Sequence, residues 1–203
     1  MSMPEFFEQA PVVCVRDRLA DLLGAAGDGV MEYHYADAVR LAGHSCPTVA
    51  GAFLQGRVAL MTLYPGEIPE RGGVSVRMPA PVDDGVTGVT AQVLTLLTGA
   101  AAENGFHGLG GQHVRSGLLD FAESVEGGPI LFRRNDTGAA VALTLDLSSV
   151  PPDPAQRALL GPVLQGNADA AQRRAFGAAW QGRVRRLLLE HADDPAVIRV
   201  ERR

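Results

Sequence analysis

A histidine and a cysteine stand two positions apart in Gly43-His44-Ser45-Cys46-Pro47. An imidazole nitrogen and a thiolate sulfur together suit zinc or another late first-row metal, nickel and iron included. Pro47 fits the first position of a helix. That puts Cys46 at the helix N-terminus, where unsatisfied N–H groups and the dipole favour a thiolate. The approach to the helix is non-helical, so both side chains can turn to one point. A pair does not hold a metal alone; further ligands must come from elsewhere, with water at any open position. The same residues also describe a capped helix in which Cys46 is a small core residue and His44 bonds a nearby carbonyl. Without a metal, Cys46 is the candidate catalytic nucleophile, with His44 as its neighbour.

The other candidates are weaker in pattern. His34, in Tyr33-His34-Tyr35, lies ten residues upstream and becomes a third metal ligand if the chain folds back. His107 and His113 fall in the glycine-dense stretch 104–117, where backbone approaches a ligand closely. The segment NGFHGLGG does not fit the G-x-G-x-x-G dinucleotide fingerprint. It reads as a loop that lines a site and accepts a small-molecule ligand near 104–113. Asp83 and Asp84 are turn residues or metal ligands. Ser45 beside His44 makes no triad. His191 is expected at the carbonyl end of the last helix.

These residues need elements to position them. Residues 1–10 read as a loose leader. Val12, Val15, Leu19, Leu22 and Leu23 have helical spacing, and Cys14 sits among the valines as a buried or half-buried residue. Tyr35–Leu41 predicts a short helix that Gly43 ends. Thr48–Tyr64 is apolar almost all round, the mark of a central buried helix, and a close approach would justify its Gly51 and Gly56. Val74, Val76 and Met78 alternate with polar residues as in a half-buried strand. Val86–Leu97 is expected to be a second buried helix. Strands are expected at Leu118–Phe121, Ile130–Arg133 and Ala140–Leu147, with a hairpin turn at Asn135–Gly138. A short helix around Ala155–Leu160 precedes a final one from Ala168 to His191, capped by Asn167. Phe176, Trp180, Val184, Leu187 and Leu188 form its apolar stripe, and its arginines read as a solvated face.

The sum is an α+β fold, a mostly antiparallel sheet packed against buried helices with a C-terminal amphipathic helix. The expected division is a helical leader at 1–30, a metal-binding core at 31–150 and a helical appendage at 151–203. The chain has 203 residues, 46% of them hydrophobic, enough for a packed core. A net charge of −5 argues against a nucleic-acid partner. No run approaches the roughly 20 apolar residues of a membrane span. The first residues do not form a secretory signal, so a cytoplasmic location is expected. All 18 basic residues are arginine, which excludes a Schiff-base lysine, pyridoxal-phosphate attachment and the P-loop lysine. Two cysteines exclude a disulfide framework and a four-thiolate zinc site.

The order of motifs resembles the FmdE-like family, named for a component of formylmethanofuran dehydrogenase. Its G-H-x-C-P motif and glycine-containing helix match Gly43-His44-Ser45-Cys46-Pro47 and Gly51. Its helix running into V-L-T-G-C-T is similar to Leu94–Ala101, and its F-x-x-x-x-T-G followed by a strand resembles Phe132–Gly138 and Ala140–Leu147. The family's second histidine falls on Ala42, its cysteine after T-G on Ala100 and an upstream aspartate on Gln92. The resemblance covers roughly residues 31 to 190. It implies the fold, metal binding at His44 and Cys46, and a homodimer. Three functions stay open: a zinc-binding protein, hydrolytic or accessory; a metal-free cysteine enzyme; and a subunit without chemistry.

Overall fold

A computed structural model describes residues 3–125 and 127–203; Met1 and Ser2, at the start of the expected leader, lie outside the described residues. The elements run α1 (Phe6–Gln9), β1 (Val13–Arg16), α2 (Arg18–Leu22), β2 (Val30–Tyr33), α3 (Tyr35–Ala42), α4 (Pro47–Leu63), β3 (Val74–Met78), α5 (Thr87–Thr98), β4 (Leu119–Phe121), β5 (Ile130–Arg134), β6 (Ala140–Leu145), α6 (Pro154–Leu164), α7 (Ala170–Glu190) and β7 (Ile198–Arg202). The fold is α+β, as expected. Strands β1 and β2 form a two-stranded antiparallel ribbon. The other five make a sheet in the order β4-β3-β5-β6-β7, with only the β3–β4 pair parallel.

Helix α4 is the centre of the molecule. Pro47 opens it, and eleven of its seventeen residues are buried. It packs on α5, on α7 and on β5 and β6. On the sheet face beneath it, Val74, Val76, Met78, Ile130, Phe132, Val141 and Leu143 are buried, while Ser75, Arg77, Leu131 and Arg133 point away. Period-two alternation produces that segregation. The two helix glycines have a side-chain reason. A Cβ on Gly51 would collide with Cδ2 of Leu145, and one on Gly56 would lie 2.7 Å from Cδ1 of Leu97. The close approach comes from leucines, not from another backbone.

Several local expectations are corrected. The Val12–Leu23 helix is instead strand β1 followed by the short helix α2. Val13 and Val15 prefer an extended backbone, and Asp17 caps the helix by accepting the N–H groups of Leu19 and Ala20 at 3.0 and 3.3 Å. Leu22 and Leu23 are exposed, so the apparent stripe is not a core face. Cys14 is half-buried on β1. The described part of the first ten residues is not loose: Phe7 is buried, and its ring meets Tyr35 edge-on at 4.9 Å. Helix α7 is capped by Asp169, not Asn167; Asp169 Oδ1 accepts the Gln172 N–H at 2.8 Å, and Gln172 Oε1 accepts the Asp169 N–H at 2.9 Å. Two of the supposedly solvated arginines on α7 hold the chain ahead of α6. Arg183 Nε donates to Val150 O at 2.7 Å, and Arg186 Nη2 donates to Pro151 O at 2.8 Å. Strand β7 has no counterpart among the expected elements, and it forms the sheet edge beside β6. Among the described residues, no helix is long and apolar enough to cross a membrane.

Candidate functional site

Helix α3 ends at Gly43, whose φ of +74° gives a left-handed cap. The chain then runs extended through Cys46, the N-cap of α4, where φ is −150° and ψ is 168°. His44 and Cys46 come to line one open groove of about 420 Å³. Its other walls are Thr48 on α4, Val86 and Val89 at the start of α5, Leu147, and Trp180 with Arg183 on α7. Both residues of the expected pair thus border one groove.

Each of the two side chains has a defined partner. The Cys46 sulfur accepts the Val49 N–H at 3.4 Å, which satisfies one of the orphan donors of α4. His44 is exposed, and its Nδ1 lies 2.9 Å from the Ala42 carbonyl oxygen. A carbonyl only accepts, so Nδ1 carries the proton. In the neutral ring Nε2 then bears the lone pair.

Between them, Ser45 is clamped. Its hydroxyl donates to Gln181 Oε1 at 2.9 Å and bonds the Tyr35 hydroxyl at 2.9 Å. Its carbonyl accepts from Trp180 Nε1 and Gln181 Nε2, both at 3.1 Å. Burial pushes the Tyr35 phenol well above its ordinary pKa, so it stays protonated as one partner in this network. Helix α7 thus fixes the backbone that presents His44 and Cys46. Gln181→Ala is expected to cost about 1–2 kcal/mol. It should also raise the labelling rate of Cys46 by a maleimide, read by mass spectrometry against Cys14.

The remaining sequence candidates lie elsewhere. His34 caps α3 at the end opposite His44, and the helix of eight residues between them spans about 12 Å. Its Nε2 sits 3.9 Å from a Glu32 carboxylate oxygen, and it does not line the groove. His107 Nδ1 meets the Ser116 hydroxyl at 3.3 Å, and His113 occupies a left-handed loop position at φ +57°. His191 is the C-cap of α7, as expected: its N–H donates to the Arg186 carbonyl at 3.2 Å, while its imidazole pairs with the Asp194 carboxylate at 2.8 Å. Asp83 and Asp84 are exposed. Ala100 is fully buried, behind the left-handed Gly99.

Among the described residues, no group of three or more His, Cys, Asp and Glu side chains is placed to share a metal. The groove therefore supplies two donors of suitable chemistry and one cation, Arg183. That set does not make a closed structural zinc site. An open zinc site of the catalytic kind takes three protein ligands, so two donors leave at least one further ligand to be supplied.

A second cleft, of about 680 Å³, lies on the other side of α5. Residues 104–106 of the glycine-dense loop line it, together with Gln92, Arg71 and Arg115. Arg71 and Arg115 belong to an ion cluster built on the buried Asp17. Arg71 Nη1 donates to Asp17 Oδ2 at 2.9 Å, and Arg115 Nη2 donates to Asp17 Oδ1 at 2.7 Å. Arg71 also donates from Nε to Leu96 O at 3.2 Å and from Nη2 to Thr95 O at 3.4 Å, the last carbonyls of α5. Arg115 Nη1 donates to the Arg71 carbonyl. Burial opposes the charge on Asp17, but the Arg71 hydrogen bond and the Arg115 charge outweigh it and hold the carboxyl below its ordinary pKa. The three residues come from three separate segments, and no local motif signals them. No protein-family model matches the chain, and no curated protein matches it.

Proposed function

We propose that this chain is a zinc-binding protein of the FmdE-like type, with His44 and Cys46 as its metal donors. The observation that carries the reading is the His44 hydrogen bond to Ala42. It aims one nitrogen at a carbonyl and leaves Nε2 as a lone-pair donor on a residue that lines the groove, the outer-shell arrangement that orients metal-binding histidines. A zinc ion held there supplies a Lewis acid with open positions. Water, a bound substrate or a second copy of the chain completes the shell; the last of these fits the homodimer that the resemblance implies. Trp180, Val86 and Val89 make one side of the groove apolar. Arg183 at the rim favours an anionic substrate or ligand.

Titration of apo protein with zinc against a chromophoric chelator tests this. One zinc per chain is expected in the wild type. His44→Ala and Cys46→Ser are each expected to lower affinity by about tenfold or more, and Cys14→Ser is expected to have no effect. Equal affinity in the wild type and the His44→Ala/Cys46→Ser double variant would overturn the reading. The thiol-enzyme alternative would then be left to alkylation of Cys46 in metal-free protein.

A further inference from the structure

We propose that the cleft between α5 and the 101–106 loop binds a carboxylic acid with an apolar body, the carboxylate held by Arg71 and Arg115. Two guanidinium groups face the single carboxylate of Asp17, and the other acid acting on Arg115, Glu70, is itself paired with Arg18 at 3.1 Å, so positive charge is in excess here. The side chains are only 19% (Arg71), 9% (Arg115) and 5% (Asp17) exposed, so water screens that charge poorly. Glu103, the one acid lining the cleft among the described residues, is exposed.

An unpartnered atom marks one of the same two arginines. Arg115 Nε is buried and has no hydrogen-bond partner among the described residues. Buried donors are nearly always satisfied, and an orphan costs about 1–3 kcal/mol. Arg115 lines the cleft, and so does Arg71, which has made one bond from each nitrogen and keeps unused N–H groups on Nη1 and Nη2. Guanidinium groups match a carboxylate in geometry as well as in charge.

The rest of the cleft selects the body of the ligand. Leu41, Val82, Leu96, Phe106, Leu119 and Phe121 line it. Leu41, Val82 and Phe106 are 47%, 56% and 45% exposed, unusually open for large apolar residues on one concave surface. A cationic floor under an apolar mouth fits a head and a tail. Two guanidinium groups that already share the Asp17 carboxylate favour a monoanion over a phosphate dianion. Neither His44 nor Cys46 lines this cleft, so the proposal stands apart from the zinc reading.

The test uses 3-phenylpropionate as the acid and 3-phenylpropan-1-ol as its neutral analogue, followed by two-dimensional amide NMR on the full chain. The acid is expected to bind about tenfold more tightly than the alcohol, with shifts centred on 92–106 and Arg115. Gln92→Glu places a like charge on the exposed cleft wall and should leave the fold intact. It is expected to weaken the acid by about fivefold and to leave the alcohol unchanged. Arg71→Gln should remove the preference for the acid, and Cys46→Ser should leave it in place. Equal binding of acid and alcohol, shifts mapping elsewhere, or no binding at millimolar concentration would overturn the proposal. Tighter binding of phenyl phosphate than of the acid would overturn the carboxylate assignment.

Discussion

Asp17→Ala is expected to destabilise the protein by about 3–5 kcal/mol, the largest effect of any single polar substitution proposed for this chain. Removing the carboxylate leaves Arg71 and Arg115 facing each other without a counter-ion in a buried setting. It also removes the cap of α2, because the same Oδ1 accepts from Leu19 and Ala20. Asp17→Asn keeps a capping oxygen and loses the charge, so it should fall between the alanine variant and the wild type. Urea denaturation reads both: the midpoint should drop while the slope is unchanged. The pH dependence has a fixed sign. The folded pKa of Asp17 lies below its ordinary value of 3.8. Its stabilisation is therefore complete above that value and is lost as pH falls through the folded pKa. Between pH 5 and strongly acidic conditions the wild type should lose more stability than Asp17→Asn. Identical acid profiles would show that the carboxylate is not a charged partner in the fold.

Gly72→Ala is the second large effect. Gly72 has φ +87°, a conformation that costs an L-residue about 1–2 kcal/mol. A Cβ there would fall on Arg115 Nη1. The end of a surface arginine would simply swing aside, but Arg115 is clamped by Asp17 and by the Arg71 carbonyl. Displacing it breaks the cluster and adds an overpacking cost of about 1–3 kcal/mol. A total of about 2–5 kcal/mol is expected in thermal or urea unfolding. Gly66→Ala, with φ +77° and nothing within 4 Å of the added carbon, isolates the backbone cost alone. Equal losses in the two variants would mean that Arg115 does not need the space over Gly72.

Much of the helical core was legible in the chain. Pro47 and the all-round apolar run place α4, and Gly43 and Gly99 place the ends of α3 and α5, because each signal is local and strong. The alternation of Val74, Val76 and Met78 likewise gives β3. What was not legible depends on partners distant in sequence. Val13 and Val15 are compatible with helix or strand by spacing, and pairing with Met31 and Tyr33 decides for strand. The short run Ile198–Arg202 becomes a strand only because β6 offers an edge. The site divides in the same way. His44 and Cys46 could be singled out from one pentapeptide. Their clamp, Trp180 and Gln181, lies about 135 residues downstream. Asp17, Arg71 and Arg115 are likewise separated by 54 and 44 residues, and nothing in their neighbours marks them as one cluster.

The pairing of His44 with Cys46 on one metal is tested most directly by cobalt(II) substitution. Cobalt(II) reports a thiolate ligand through a sulfur-to-metal charge-transfer band in the near ultraviolet, and the measurement needs no enzymatic assay. The band is expected in the wild type and in Cys14→Ser, absent in Cys46→Ser and at least strongly weakened in His44→Ala, with zinc displacing cobalt throughout. A band that survives Cys46→Ser, or wild-type protein that shows none under anaerobic conditions, would contradict metal binding at this groove.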